Sequence, residues 1–303
     1  MNRAVPAPPP WLPTAPCTPG RRCAAHPDPA PATGTGARTV SPPLACARLA
    51  AGLATVLLGV ALLPAAALLP AAGRLALVRL WARAVVRAFG VRLAVTGVRP
   101  PAGGPALVVA NHVSWLDIPV VAAVLPGRMV AKREVRGWPV LGPLAALGGT
   151  LFIDRDGLRR LPGTVREAAG ALAAGGRVVA FPEGSTWCGR AGGRFRRALF
   201  QAAVDTGADV QPVRIGYRPQ GAAAYVGEDA LGASLWRVVR TPDLAAEIRI
   251  LDPIPVVRHP DRRRLAAAAY RAVASDSANR PPPSVHHRAS SNPAAASSAR
   301  TPS

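Results

Sequence analysis

Between Arg48 and Arg74 the chain carries no charge: LAAGLATVLLGVALLPAAALLPAAG. As a helix, residues 49–73 are long enough to cross a hydrocarbon layer of about 30 Å. Pro64 and Pro70 each remove a backbone donor and kink a helix. The segment therefore reads either as one kinked span or as a hairpin dipping into one leaflet. Arginines at both ends leave its orientation undefined. In the next stretch, RLALVRLWARAVVRAFG, Arg79, Arg83 and Arg87 fall four residues apart, with Leu, Val, Trp and Phe around the rest. That spacing suits a basic helix lying on anionic lipid, and equally an ordinary surface helix packed on a domain.

From residue 91 to 275 short apolar runs alternate with helical periodicity. VRLAVTG, ALVVA, TLFID, RVVAF, DVQPVRIGY and EIRILDPIPV read as strands. SWLDIPVVAAVL and RRALFQAAVDTG read as helices, the second stopped by Gly207. In TVREAAGALAAGG, Thr164 and Glu167 have capping-box spacing and Gly175–Gly176 supplies a stop. DRRRLAAAAYRAVAS reads as a last helix capped by Asp261. Such alternation predicts an α/β sandwich around a largely buried sheet. Residues 1–44, rich in Pro, Ala, Gly and Thr, read as a disordered leader, and the Pro/Ser-rich residues 276–303 as a disordered tail.

Composition changes the picture in one respect. Lys+Arg number 37 against 16 Asp+Glu in 303 residues, a formal charge of +21, and Lys132 is the single lysine. A surface so rich in guanidinium attracts phosphates, anionic lipid included. Aromatic residues make up 5% and do not interleave with the basic runs, so no nucleic-acid partner is expected. Cys17, Cys23, Cys46 and Cys188 form neither a C-x-x-C pair nor a cluster, and no metal is expected. They suit a reducing, cytoplasmic setting for the bulk of the chain.

Candidate chemistry concentrates in NHVSWLD, residues 111–117, between two apolar runs. Of the five histidines only His112 falls at a strand-to-helix junction inside the domain, where loops on a rigid scaffold carry function. On one continuous helix His112 and Asp117 would point about 140° apart. With the helix starting near Ser114, His112 lies in the loop and can fold back onto Asp117, leaving its other nitrogen as a base. Ser114 and Asp117 alternatively form a capping box with His112 a plain loop residue, and the two readings are compatible.

Asn111, His112 and Asp117 in N-H-x-x-x-x-D, with Phe181–Ser185 (FPEGS) further on, resemble the glycerolipid acyltransferase superfamily, whose best-known branch is the 1-acylglycerol-3-phosphate acyltransferases. GGTLFIDRD at 148–156 resembles its second block and VQPVRIGY its fourth, so the likeness runs over roughly residues 105–217. The chain departs from the pattern where an arginine often follows E-G-[ST]: here Ser185-Thr186-Trp187-Cys188 stands, with Arg190, Arg194 and Arg196 nearby as substitute charge. Phe195-Arg196-Arg197-Ala198 replaces the family's F-K-x-G, and Lys132 falls where the family places a basic loop.

The resemblance implies an α/β fold with a mixed sheet flanked by helices. A single acyltransferase domain (91–275) follows an N-terminal membrane helix or hairpin (45–90), at the cell membrane with the catalytic domain facing the cytoplasm. It implies transfer of an acyl group from acyl-CoA or acyl carrier protein to the hydroxyl of 1-acyl-sn-glycerol-3-phosphate, giving phosphatidate, with no cofactor. His112 is then the base, oriented by Asp117. Arg155 clamps the phosphate, and Glu183, Gly184, Ser185 and Asn111 hold the lysophospholipid acceptor. Backbone N–H groups after His112 are candidates for the oxyanion. Lyso-ornithine lipid or another lysolipid is the alternative acceptor. A lipid-ester hydrolase and a non-catalytic basic protein on an anionic membrane surface are the readings from other classes. No G-x-S-x-G elbow surrounds Ser114 or Ser185, against a serine nucleophile.

Overall fold

A computed structural model describes residues 39–98, 103–154, 157–190, 192–227 and 229–275. The tail, most of the leader and Arg155 lie outside the described residues.

Three helices open the described chain: α1 (Pro42–Ala61), α2 (Leu63–Ala67) and α3 (Ala71–Ala88). Pro64 falls in the first turn of α2 and Pro70 caps α3, where a missing N–H breaks no helical bond. The prolines thus mark the bend of a hairpin rather than a kink inside one rod, and α3 returns along α1. The two helices approach closely because a Cβ on Gly52 would strike the Phe89 ring and one on Gly59 the Trp81 indole. Trp81 Nε1 donates to the Thr55 carbonyl across the pair at 2.9 Å. α1 is long and apolar enough to cross a membrane, and Leu53, Leu57 and Leu58 on it are exposed. The hairpin base instead joins the domain: Ala45, Val85, Val86 and Phe89 sit in its core, and Arg48 Nη1 donates to the Val239 carbonyl.

The remaining elements are β1 (Arg92–Gly97), β2 (Ala106–Ala110), α4 (Asp117–Ala122), β3 (Arg128–Lys132), α5 (Leu141–Leu147), β4 (Leu151–Ile153), α6 (Leu161–Ala173), β5 (Arg177–Ala180), α7 (Phe200–Thr206), β6 (Asp209–Arg218), α8 (Leu231–Arg240), β7 (Ala245–Ile250) and α9 (Arg262–Ser275). The strands form one mixed sheet in the order β1-β7-β6-β2-β5-β3-β4. β6 and β7 run antiparallel and every other neighbouring pair is parallel.

Both faces of the sheet are covered, so β2 is apolar at every position and β5 after Arg177, while β6 keeps polar residues among its buried ones. Strand alternation sorts the residues into two cores. Val108, Ala110, Val179, Val213 and Ile215 pack with α1, α3, α4 and α8. Leu107, Val109, Val178, Ala180 and Val210 pack with α6, α7 and α9. The hairpin therefore belongs to one layer of an α/β/α sandwich.

Several local expectations are corrected. α6 starts at Leu161 with Pro162 in its first turn, so Thr164 is no cap: it is buried inside the helix, its hydroxyl directed at the Phe152 carbonyl. Gly175, at φ +79°, does end the turn after it, and Asp261 Oδ1 caps α9 by accepting from Arg263 N at 2.7 Å. Lys132 ends strand β3 instead of lying in a loop. The helix expected over SWLDIPVVAAVL is confined to Asp117–Ala122. Three elements were not read from the sequence. β3 is charged at both ends, α5 is interrupted by Gly142 and Pro143, and α8 buries only the stripe around Ser234, Val238 and Val239.

Candidate active site

The register of the parallel strands builds the site. Val109 pairs with Ala180, so three residues on, beyond both strand ends, His112 comes opposite Glu183. The chain leaves β2 toward β3 on one side and leaves β5 toward β6 on the other. Such a reversal opens a crevice at the carboxyl ends of an α/β sheet, where ligands bind. Alternation carries His112, Phe181 and Tyr217 to the face that also bears the hairpin, since Val108, Val179 and Ile215 already point there.

Asp117 organises the centre. Its Oδ2 accepts from Val113 N (2.6 Å), Ser114 N (2.9 Å) and His112 Nδ1 (2.8 Å), and its Oδ1 accepts from the Tyr217 hydroxyl (2.6 Å). The carboxylate is wholly buried, yet four donors replace its water. Because the carboxylate only accepts, Nδ1 of His112 carries the proton and Nε2 is left with a lone pair. The imidazole, 18% exposed, stacks on Phe181 at 4.2 Å and 17°. Burial first, and the adjacent Asp117 charge second, push the Tyr217 phenol well above its usual range, which keeps it a neutral donor. Tyr217 was not singled out in the sequence. The available signal was its place at the end of β6, on the face of Val213 and Ile215.

Both readings of NHVSWLD hold in part. Asp117 reaches back to Ser114 N as in a capping box, but the Ser114 hydroxyl accepts from Leu116 N rather than from Asp117. The N–H groups of Val113 and Ser114, expected to serve an oxyanion, are occupied by Asp117.

Asn111 and Glu183, given to the acceptor from the sequence, are tied to the scaffold. Asn111 donates from Nδ2 to the Ile215 carbonyl and accepts from Ile215 N, both at 2.8 Å, extending the β2–β6 ladder beyond the strand. Glu183 accepts from His112 N at 2.8 Å and from Gly193 N at 3.0 Å, binding the loop after β5 to the histidine. Gly184, at φ +76°, turns the chain and lines an open cleft with His112, Ser185 and Thr186. The Thr186 hydroxyl donates to the Tyr225 carbonyl, and Tyr225 N donates to the Val113 carbonyl at 3.0 Å. Tyr225 thus joins the two motif loops, and Arg237 holds its segment through the Ala222 and Ala224 carbonyls and the Asp229 carboxylate. Of the substitute arginines, Arg196 lines the cleft, as does Arg197.

The cleft, about 1730 Å³, runs from His112 to the hairpin, where Leu53, Leu57 and Trp81 form an apolar wall. Among the described residues no three His, Cys, Asp or Glu side chains cluster as metal ligands.

Burial pushes the Glu183 carboxyl up to about 8, the Asp117 charge adding to the shift while N–H bonds from His112 and Gly193 oppose it. The folded chain therefore retains a proton that the unfolded chain releases near pH 4.5. Stability from this group is full below that value and is lost as the pH rises toward 8, at no more than about 1.4 kcal/mol per pH unit. Glu183→Gln, which cannot titrate, should flatten that decline. Thermal unfolding of both proteins from pH 5 to 8 checks it, and parallel curves would refute it.

The family model described as Acyltransferase matches residues 92–216, from β1 into β6. The lyso-ornithine lipid O-acyltransferase of Pseudomonas aeruginosa is 39% identical over 198 residues, covering 64% of this chain and 74% of that protein. The 1-acyl-sn-glycerol-3-phosphate acyltransferase of Neisseria meningitidis serogroup B is 35% identical over 187 residues, covering 60% and 73%. In fold, the chain superimposes on the crystal structure of the 1-acyl-sn-glycerophosphate (LPA) acyltransferase PlsC from Thermotoga maritima. The TM-score is 0.60 at 20% identity, over 76% of this chain and 91% of that one. With the family model spanning His112, Asp117 and Glu183, and a relative 39% identical covered to 74% of its length, the chain belongs to the Acyltransferase family.

Proposed function

We propose that this protein transfers a fatty acyl group from a thioester to the hydroxyl of a lysolipid, with 1-acyl-sn-glycerol-3-phosphate as acceptor and phosphatidate as product. The observation that carries the reading is the His112–Asp117 pair at the mouth of a cleft with an apolar far wall. Nε2 of His112 takes the proton of the acceptor hydroxyl. The oxygen attacks the thioester carbonyl, the carbon–sulfur bond breaks, and the thiolate leaves and recovers the proton from the imidazolium. Since a thiol's pKa is about 8.5, no second acid is required. Asp117 stabilises the transient imidazolium, and Tyr217 holds Asp117. Acyl-CoA or acyl carrier protein serves as donor, and no cofactor enters.

Arg196 and Arg197, with Ser185, supply the polar end of the cleft that receives the acceptor headgroup, and guanidinium forks suit phosphate oxygens. Asn111 and Glu183 act by holding the two motif loops in register. The exposed apolar residues of the hairpin support a cleft that opens at the cell membrane, and our reading sets the catalytic domain on its cytoplasmic side.

Lyso-ornithine lipid is the second reading. Thr186 lines the cleft without a charge, and the Pseudomonas aeruginosa relative bears that name. Thiol release from acyl-CoA, and separately from acyl carrier protein, is followed with each lysolipid in turn. The proposal expects lysophosphatidate to be preferred by at least about tenfold, roughly 1.4 kcal/mol in the barrier. Preference for lyso-ornithine lipid would exchange the two readings. Thiol release independent of any acceptor would indicate a hydrolase and overturn both.

A further inference from the structure

The geometry points to a second membrane-contacting element: the segment from Gly137 to Gly148, beside the hairpin, sets its apolar side chains into an anionic leaflet. The inference rests on the membrane placement proposed above and adds a footprint to it.

From Gly137 to Ile153 the chain carries no charge. In a water-soluble domain such a run is expected inside, yet here Trp138 is 41% exposed, Val140 38% and Leu147 69%. α5 buries Gly142 alone. Its seven residues extend about 10 Å, far short of a bilayer's hydrocarbon thickness, so the segment can lie in an interface but cannot cross. Tryptophan favours that depth, with its ring among acyl chains and its N–H among headgroups.

Two observations select lipid as the occupant. The first is continuity. Trp138, Val140 and Leu147 border the same cleft as Leu57, Leu75 and Val78 of the hairpin. The opening is therefore walled on both sides by exposed apolar residues, and a leaflet that receives one side meets the other. The second is charge. Lys132, Arg133 and Arg136, all exposed, precede the segment, with Glu134 the one acid among them. Arg133 and Arg160 share the Asp154 carboxylate, and Arg136 stands over the Phe152 ring at 5.7 Å. Cations beside an apolar wedge complement an anionic surface. In a two-fold dimer the same patch would face itself and bring these cations together, which disfavours a second copy.

An environment-sensitive fluorophore on Leu147→Cys tests the assignment, with Cys17, Cys23, Cys46 and Cys188 replaced by serine. Val257→Cys in the same background is the comparator, since Val257 is 86% exposed beside the opposite core. On vesicles rich in phosphatidylglycerol the probe at 147 should shift to the blue and be quenched by brominated acyl chains, while the probe at 257 should do neither. In the unsubstituted background, Trp138→Phe should remove part of the tryptophan quenching by the same brominated lipid. A bound protein whose 147 probe still reports water overturns the inference. So does a blue shift that needs no vesicles and grows with protein concentration, which marks self-association. Thiol release by the parent protein in those vesicles is read separately. Transfer with a silent probe sinks the footprint alone, and a lipid-buried probe without transfer sinks the reaction alone.

Discussion

His112→Ala is expected to lower acyl transfer by about 10² to 10⁴ while the protein stays folded. The magnitude is that of removing one positioned base. Folding is spared because the contacts that tie this residue to the scaffold are made by its backbone. His112 N donates to Glu183 and its carbonyl accepts from Trp187 N at 2.8 Å, and alanine retains both. Loss of the ring leaves Phe181 without its stacking partner and Asp117 with three donors in place of four. That is a modest structural cost beside the loss of the proton acceptor. The check is thiol release from acyl-CoA with saturating lysolipid, paired with a thermal melt. Activity within a few fold of wild type, in a protein that melts normally, would remove His112 from the mechanism.

Asp117→Ala is expected to cost the fold itself. Two backbone N–H groups, an imidazole N–H and a phenol would be left unpaired around a buried site. Each stranded donor costs about 1–3 kcal/mol, so their sum approaches the whole stability of an ordinary domain, about 5–15 kcal/mol. Asp117→Asn separates the carboxylate's two duties. An amide oxygen can accept from Val113 N and Ser114 N, and the Tyr217 hydroxyl can rotate to accept from the amide nitrogen. The asparagine variant should therefore fold, yet lose at least about 10² in transfer, because the imidazolium has no counter-charge. Denaturation midpoints together with thiol release distinguish the three proteins. An alanine variant as stable as wild type would show that Asp117 does not organise this loop, and an asparagine variant with full activity would show that its charge is not used.

Much of this site was legible along the chain, for a physical reason. NHVSWLD and FPEGS lie at the ends of buried apolar runs, and a run apolar at every position marks a central strand whose end opens at the sheet's edge. Local pattern also sufficed for the α/β class and for a bend within residues 49–73, although the returning arm of the hairpin, α3, lies mostly beyond them. It failed where tertiary contact overrides local preference. Thr164 has cap-like spacing, but α6 extends past it because Thr164 faces the core. α5 and β3 were passed over because glycine, proline and terminal charges break their periodicity.

The sequence by itself determined the alternation that sorts side chains to two faces, the uncharged stretch that supplies the first arm and the bend of the hairpin, and which segments carry a histidine and two acids. The pairing register was decided only in three dimensions, because it joins segments some seventy to a hundred residues apart that no local periodicity connects. That register set His112 against Glu183 and directed Tyr217 to Asp117. It also set the contacts: the N–H groups of Val113 and Ser114 went to a buried carboxylate, and Asn111 and Glu183 bond to backbone groups of β6 and of the two motif loops. A polar group's function follows from which partner reaches it first, and the folded backbone settles that order.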